Sequence, residues 1–326
     1  QHIGAALRRH QRQHRRIPQA AGTPHIVEPV GTGSQGGNLV ATNLMADQFV
    51  EVLRNRLAVV EAGATLLTGL QGNIDIPRRT TATSTYWVSE GAAITDDRSS
   101  FDVISLRPKT VGALSSWTRL MALQSTPDIE MLIRKDFVYQ LTAAIDLAAI
   151  KGSGASNEPT GILNTAGIGS VALGTNGGAI TFDAMADLRR KVAVANADVE
   201  SASSLTTAAV EGKLIKERST GSGEYILEPA MAPIAGTPPT IWGRRLLVSN
   251  QVPSNLTKGT GSSLSAVIYG DFSQLLIGMW GAMDILLNPY GSGYAAGNFE
   301  IRAMQTVDIG VRHPQAFAAI TDAITA

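Results

Sequence analysis

A chain of 326 residues is long enough to bury a sizeable core, as one large domain or two smaller ones, without covalent staples. Its 27 lysines and arginines balance 27 aspartates and glutamates, so no overall field draws nucleic acid, a membrane surface or an acidic substrate. The absence of cysteine excludes disulfides, thiolate nucleophiles and sulfur-ligated metals, and aliphatic runs such as LTAAIDLAAI are too short and too charged to cross a bilayer, which reads as a soluble protein with no membrane partner. The first residue is Gln1, with no apolar signal core behind it, which reads as a processed or trimmed chain.

The opening 24 residues carry Arg8, Arg9, Arg12, Arg15 and Arg16, with no acidic residue before Glu28. Such a segment is an exposed basic arm or a short basic helix able to meet phosphate. Pro18, Pro24 and Pro29 followed by GTGSQGG then predict a connector with little regular structure. From Thr42, the residues Leu44, Phe49, Val52, Leu53 and Leu57 recur at helical spacing, predicting a helix from about 43 to 60.

Residues 70 to 118 read as an extended antiparallel excursion. Ile74 and Ile76 alternate with polar neighbours, Tyr86, Trp87 and Val88 favour sheet, and EGAAITDDRSS forms a polar centre. A hairpin of that length buries few of its own side chains and is expected to lie on another subunit. The next segment predicts a long helix over Ser125 to Ile150, about 24 residues and 36 Å. Thr126 serves as its cap, Pro127 and the acidic Asp128 and Glu130 fall in its first turn, and Ile129, Ile133, Phe137, Leu141 and Ile145 repeat every fourth residue.

Thr181 to Val199 predicts a second substantial helix with Met185, Leu188, Val192 and Ala195 inward. Short strands and turns follow in TIWGRRLLVS, SAVIYGDF, MDILLNP and FEIRAMQTVDIGV. The fold class is α+β in two lobes, with 181 to 270 inserted between the halves of the other.

Candidate chemistry is sparse. GTGSQG fits GxGxxG but lacks a strand before it and a helix opening at its last glycine, so it reads as linker. His10 and His14 are flanked by arginines that oppose a cation, His313 stands alone in the body, and no GxSxG elbow occurs. Asp96 and Asp97 read as solvated, and the four tryptophans, Trp87, Trp117, Trp242 and Trp280, sit in contexts that suit packing. No catalytic group, cofactor or metal site follows. A binding or enzymatic monomer would need a convergent polar pocket, for which the surroundings of Glu158 and Asn164 are the nearest candidate.

The long helix running into AAIKGSGASNEPTGILN resembles the spine helix and glycine-rich loop of tailed-phage major capsid proteins, the Hong Kong 97-type fold. Gly152, Gly154, Pro159, Gly161, Ile162, Leu163 and Asn164 carry the likeness. GDFSQLLIGMWGAMDILLNPY and FEIRAMQTVDIGVRHPQAFAAI are similar to the family's closing segment, with a terminal strand after His313 and Pro314. The resemblance implies an N-arm over 1–40, an arm-proximal helix over 41–65 and an extended E-loop over 66–118. It further implies a P-domain with spine helix and glycine-rich loop over 119–180, an A-domain over 181–270, and a return through both over 271–326. Gly152, Gly154, Pro159, Gly161 and Asn164 would then shape a structural junction rather than catalyse anything.

By the same resemblance the chain is no enzyme. It would form hexamers and pentamers of an icosahedral phage head, assembled in the bacterial cytoplasm around double-stranded DNA, with a portal protein and a decoration or cement protein as further partners. The five arm arginines would contact DNA or neighbouring capsomers. Some members crosslink an E-loop lysine to an asparagine of the next subunit; here no lysine precedes Lys109, which implies noncovalent assembly. A bacterial nanocompartment shell shares the fold and is the alternative.

Overall fold

A computed structural model describes residues 57–218 and 239–325, apart from 82, 94, 95, 126 and 127. In chain order the first half contains β1 (Thr65–Leu67), β2 (Ile74–Thr81), β3 (Ser100–Leu106), β4 (Lys109–Thr118), α1 (Arg119–Gln124), α2 (Ile129–Lys151), β5 (Gly169–Ser170), β6 (Gly178–Ala179) and α3 (Phe182–Val194). The second half contains β7 (Ser203–Thr206), α4 (Ala208–Lys216), β8 (Thr240–Ile241), β9 (Arg244–Val248), β10 (Leu256–Lys258), β11 (Gly261–Gly270), β12 (Leu275–Asn288), β13 (Asn298–Val311) and β14 (Phe317–Ile324). Three sheets result. One is four-stranded in the order β1-β12-β13-β4, one is eight-stranded along β5-β14-β11-β7-β9-β8 with β10 and β6 attached, and β2-β3 is a separate two-stranded hairpin.

α2 forms for the reasons its sequence gives, with one change at its start. Asp128, not Thr126, is the cap, its carboxylate accepting from the Glu130 amide at 3.0 Å; Thr126 and Pro127 lie outside the described residues. An aspartate there both satisfies a free amide and places negative charge at the positive helix end. Glu130 and Arg134 pair one turn apart at 2.7 Å, and Lys151 sits in the last turn. The four-residue repeat buries Phe137 and Leu141 against Trp117 of β4 and Ile301 and Ala303 of β13, whereas the last turns are buried nearly all round at Ala148, Ala149 and Ile150.

β4 corrects the expected reach of the hairpin. The sequence predicts one excursion to 118, yet Lys109–Thr118 pairs residue for residue with β13, from Lys109 opposite Val307 to Thr118 opposite Asn298. Its alternation points Val111, Ala113 and Trp117 towards α2, so burial against the helix outweighs continuation of the hairpin. At the other end β1 lies parallel to β12, leaving only 74–106 in the hairpin.

The eight-stranded sheet likewise exceeds the expected 181–270 segment. β5 and β6 enter before it, and β14 returns after it to pair with β11. β11 is buried from Leu264 to Gly270, which suits a central strand covered on both faces. α3, capped by Thr181 Oγ1 on the Ala184 amide at 3.2 Å, packs Met185, Leu188 and Val192 on one face together with Val210 and Leu214 of α4. A second core, including Ile150, Ile162, Phe272 and Phe317, fills the other face and joins the sheet to the end of α2.

Of the helix predicted over 43 to 60, residues up to 56 lie outside the described set; the described remainder, Leu57 to Val60, leads into turns rather than regular helix. Among the described residues no helix is long and apolar enough to cross a membrane.

Candidate assembly surfaces

Gly152, Gly154, Pro159, Gly161 and Asn164 come together as one clamp on the end of α2. The Gly161 amide donates to Gly152 O at 2.9 Å, and the Asn164 side-chain amide donates to Lys151 O at 2.8 Å and Gly152 O at 2.9 Å. These bonds satisfy carbonyls that a helix end leaves open. The strands of the clamp touch through their backbones: a Cβ on Gly161 would stand 2.6 Å from Ala148 O and 2.7 Å from the Lys151 amide nitrogen, so only glycine fits. Pro159 is buried behind them, and Gly154 takes the left-handed turn at φ 72°.

Glu158 is exposed and bonds back to its own loop. It accepts from the Ser153 hydroxyl at 2.5 Å and the Ser153 amide at 2.9 Å, and these bonds, with Lys151 and Lys109 nearby, hold its carboxyl below the usual range. Asn164 is spent on helix carbonyls. Both polar side chains of that candidate pocket are thus engaged in the clamp. Among the described residues no cluster of three His, Asp or Glu is placed to hold a metal ion.

The hairpin is anchored at its root and bare beyond it. Leu106 is fully buried between two glycines of adjacent strands: a Cβ on Gly310 would lie 2.9 Å from its Cδ2, and one on Gly278 3.4 Å from its Cδ1. The buried carboxylate of Asp308 accepts from the Arg107 amide at 2.7 Å and faces Lys109 Nζ at 3.5 Å, while Trp280 Nε1 donates to Gly72 O at 2.7 Å. Arg78 bridges Asp102 at 2.6 Å and Arg312 O at 3.2 Å. Beyond the root, Val103 and Phe101 on β3 are exposed, and Trp87 at the tip is 102% exposed. Trp87 is thus not a packing residue, whereas half-exposed Trp242 meets the Phe182 ring edge-on with centroids 6.2 Å apart and Trp117 is buried, as their contexts predict.

Three carboxylates, Asp146 and Asp322 buried and Asp198 part-buried, bind distant segments together. Asp146 of α2 accepts from the buried amides of Ala58 at 3.3 Å and Val59 at 2.9 Å, fixing the chain where it enters the body; burial nevertheless pushes its pKa up. Asp322 accepts from the Leu173 amide at 3.0 Å and Lys258 Nζ at 2.6 Å. Asp198 takes the Tyr269 hydroxyl at 2.5 Å and Arg189 at 3.0 Å; burial raises its pKa, but these partners outweigh it, and the tyrosine is pushed up by its own burial first and by this carboxylate second. A lone aspartate in an apolar helix or strand signals such a role, since it is stable there only with donors supplied. Arg8, Arg9, Arg12, Arg15 and Arg16 lie outside the described residues.

A profile of the phage capsid family matches residues 36–322, nearly the whole chain. The chain belongs to the phage capsid family. It is 28% identical over 293 residues to the major capsid protein of Halomonas phage phiHAP-1, which covers 88% of this chain but 44% of that protein, so the chain spans less than half the relative's length. Among solved structures, the capsid of a native GTA particle superposes with a TM-score of 0.72 over 94% of this chain and 100% of the other at 22% identity. That of Gordonia phage Cozz gives 0.71 over 93% and 96% at 17% identity. At that identity the likeness establishes fold: this phage capsid family chain has the Hong Kong 97-type fold.

Proposed function

We propose that the chain is the structural subunit of a tailed-phage head, assembling as hexamers and pentamers into an icosahedral shell around double-stranded DNA. The observation that carries this is the hairpin: rooted rigidly at Leu106 and Asp308, it holds Phe101, Val103 and Trp87 in solvent, an arrangement that gains stability only when another copy covers it. Many modest contacts of this kind, repeated around a closed shell, give cumulative strength. Family membership and the capsid fold support the same reading.

Assembly is noncovalent on this account. Lys109, the first lysine of the chain, donates to Glu158 O at 3.0 Å and faces Asp308, so it is engaged at the hairpin root rather than presented to a neighbour. The arm arginines meet DNA phosphates or adjacent capsomers, and the portal and a decoration protein complete the head. Light scattering of the purified chain under assembly conditions, followed by boiling in SDS, tests the proposal. It predicts particles far larger than a monomer that resolve into a single 34.3 kDa band. A monomer at every condition refutes assembly, and a ladder of bands refutes its noncovalent character.

A further inference from the structure

We infer that β4 is a contact strand between copies of this chain: two copies join edge to edge about a two-fold axis, β4 antiparallel to β4 with Leu114 opposite Leu114, so that two four-stranded sheets become one. The inference rests on the shell reading and adds a contact between its rings. β4 ends the order β1-β12-β13-β4, so one of its sides faces no further strand among the described residues. The Arg119 amide donates to Gly297 O at 3.1 Å, one step beyond the Thr118–Asn298 pair, and this fixes which groups are left over. Val111, Ala113, Ser115 and Trp117 exchange their bonds with β13, whereas the N–H and C=O groups of Gly112, Leu114, Ser116 and Thr118 point out from the edge. All four of these residues are exposed.

Folded proteins protect such an edge with a bulge, a proline or a charge. β4 has none of them: its ten residues run in unbroken register, and no proline or charged residue lies between Lys109 and Arg119. The occupant is a second β4 because the strand complements itself. About an axis through Leu114, Gly112 of each copy lies opposite Ser116 of the other, so small uncharged groups and two leucines meet, with no like charges face to face. Leu114 is 69% exposed and shares its face with Arg302 and Leu286, which lie beside it in turn on β13 and β12. Pairing covers each leucine with its symmetry mate and keeps the two Arg302 side chains, each matched by Asp284 at 3.5 Å, about 14 Å apart. The axis stands perpendicular to the sheet and sets α2 of both copies on the same side, as a single-layered shell requires. Isologous contacts of this kind are the commonest in homo-oligomers. One short strand pair buries less than a standard interface, so the contact forms where assembly repeats it many times.

The cysteine-free sequence makes the test direct. Leu114→Cys sets two thiols opposite each other, about 5.5 Å apart at Cα and within reach of a disulfide, whereas Ser116→Cys on the same edge sets them about 14 Å apart and out of reach. Each full-length variant is assembled, oxidised and run on non-reducing SDS gels. A band of twice the chain's mass is expected for Leu114→Cys and only background for Ser116→Cys. In parallel, Leu114→Lys, which sets like charges face to face at the axis, is expected to leave the monomer's urea midpoint unchanged and to raise the concentration needed for assembly by roughly tenfold or more. Shells that form normally while L114C crosslinks no better than S116C, or an L114K variant that assembles like the unaltered chain, overturn the pairing and leave the shell reading standing. Protection of the Gly112–Thr118 amides on assembly without the L114C dimer overturns it too, by placing a different segment on the edge. Failure of the unaltered chain to assemble at all removes both.

Discussion

Replacing Asp146 by alanine isolates the contribution of one buried carboxylate to holding the entry segment on α2. Asp146 is 4% exposed, and the amides it serves belong to Ala58 and Val59, at 1% and 0%. Its removal leaves two buried donors unpaired, each costing about 1–3 kcal/mol. Losing the expense of keeping a charge out of water, which the raised pKa reports, offsets part of that. The net expectation is a loss of about 2–5 kcal/mol, a large fraction of the roughly 5–15 kcal/mol that stabilises a folded domain. Asp146→Asn keeps Oδ1 as the acceptor for Val59 and Ala58 but puts donors at the Oδ2 position facing Ala58, so its loss is smaller, about 1–2 kcal/mol.

The two variants also separate in pH. Because the folded pKa of Asp146 is raised above the unfolded value, the folded state holds the proton more tightly, and this group's contribution is greatest at acid pH and declines as pH rises from near 3.8 through its raised folded value. The asparagine variant lacks that term. Its deficit against the unaltered chain is therefore larger at pH 4 than at pH 7. Urea unfolding of the monomer at both values measures this. An alanine variant as stable as the parent, or an asparagine deficit that shrinks on acidification, refutes the assignment.

Gly161→Ala drives a methyl against backbone atoms at 2.6–2.7 Å that cannot yield without opening the helix end, and is expected to destabilise by about 3 kcal/mol or more, seen as a lower midpoint in denaturant. Leu106→Ala removes a fully buried side chain from its glycine socket; a loss of about 2–5 kcal/mol is expected, with faster hydrogen exchange across β2 and β3 while the amides of α3 stay protected. Asp198→Asn weakens the bonds to Tyr269 and Arg189, and the tyrosine's pKa should move back towards its ordinary value, readable by ultraviolet titration at alkaline pH.

What the sequence makes legible here is whatever is local. The spine helix announces itself through an apolar residue every fourth position, and the glycine-rich stretch after it through a composition that only close backbone approach explains. Thr126 and Asp128 are both sound caps, and nothing in the one-dimensional pattern chooses between them. β4 alternates like a hairpin strand and like a sheet strand alike; its partner, β13, lies almost 190 residues away in register, where no period reaches. The socket around Leu106 joins Gly278 and Gly310 from strands separated by a turn, and the donors that Asp146 serves, the amides of Ala58 and Val59, lie 88 and 87 residues before it. Trp87 misleads for the opposite reason. Its neighbours favour sheet, but a two-stranded ribbon has no layer behind it, and the ring is left in solvent.

Cryo-electron microscopy of the assembled chain, carried to a traceable map, tests the central claim most directly. The account predicts closed shells with five-fold and six-fold rings in which residues 74–106 of each copy lie over the adjacent copy. Preparations that contain only discrete 34 kDa monomers, or particles in which the hairpin folds back on its own body, would contradict it.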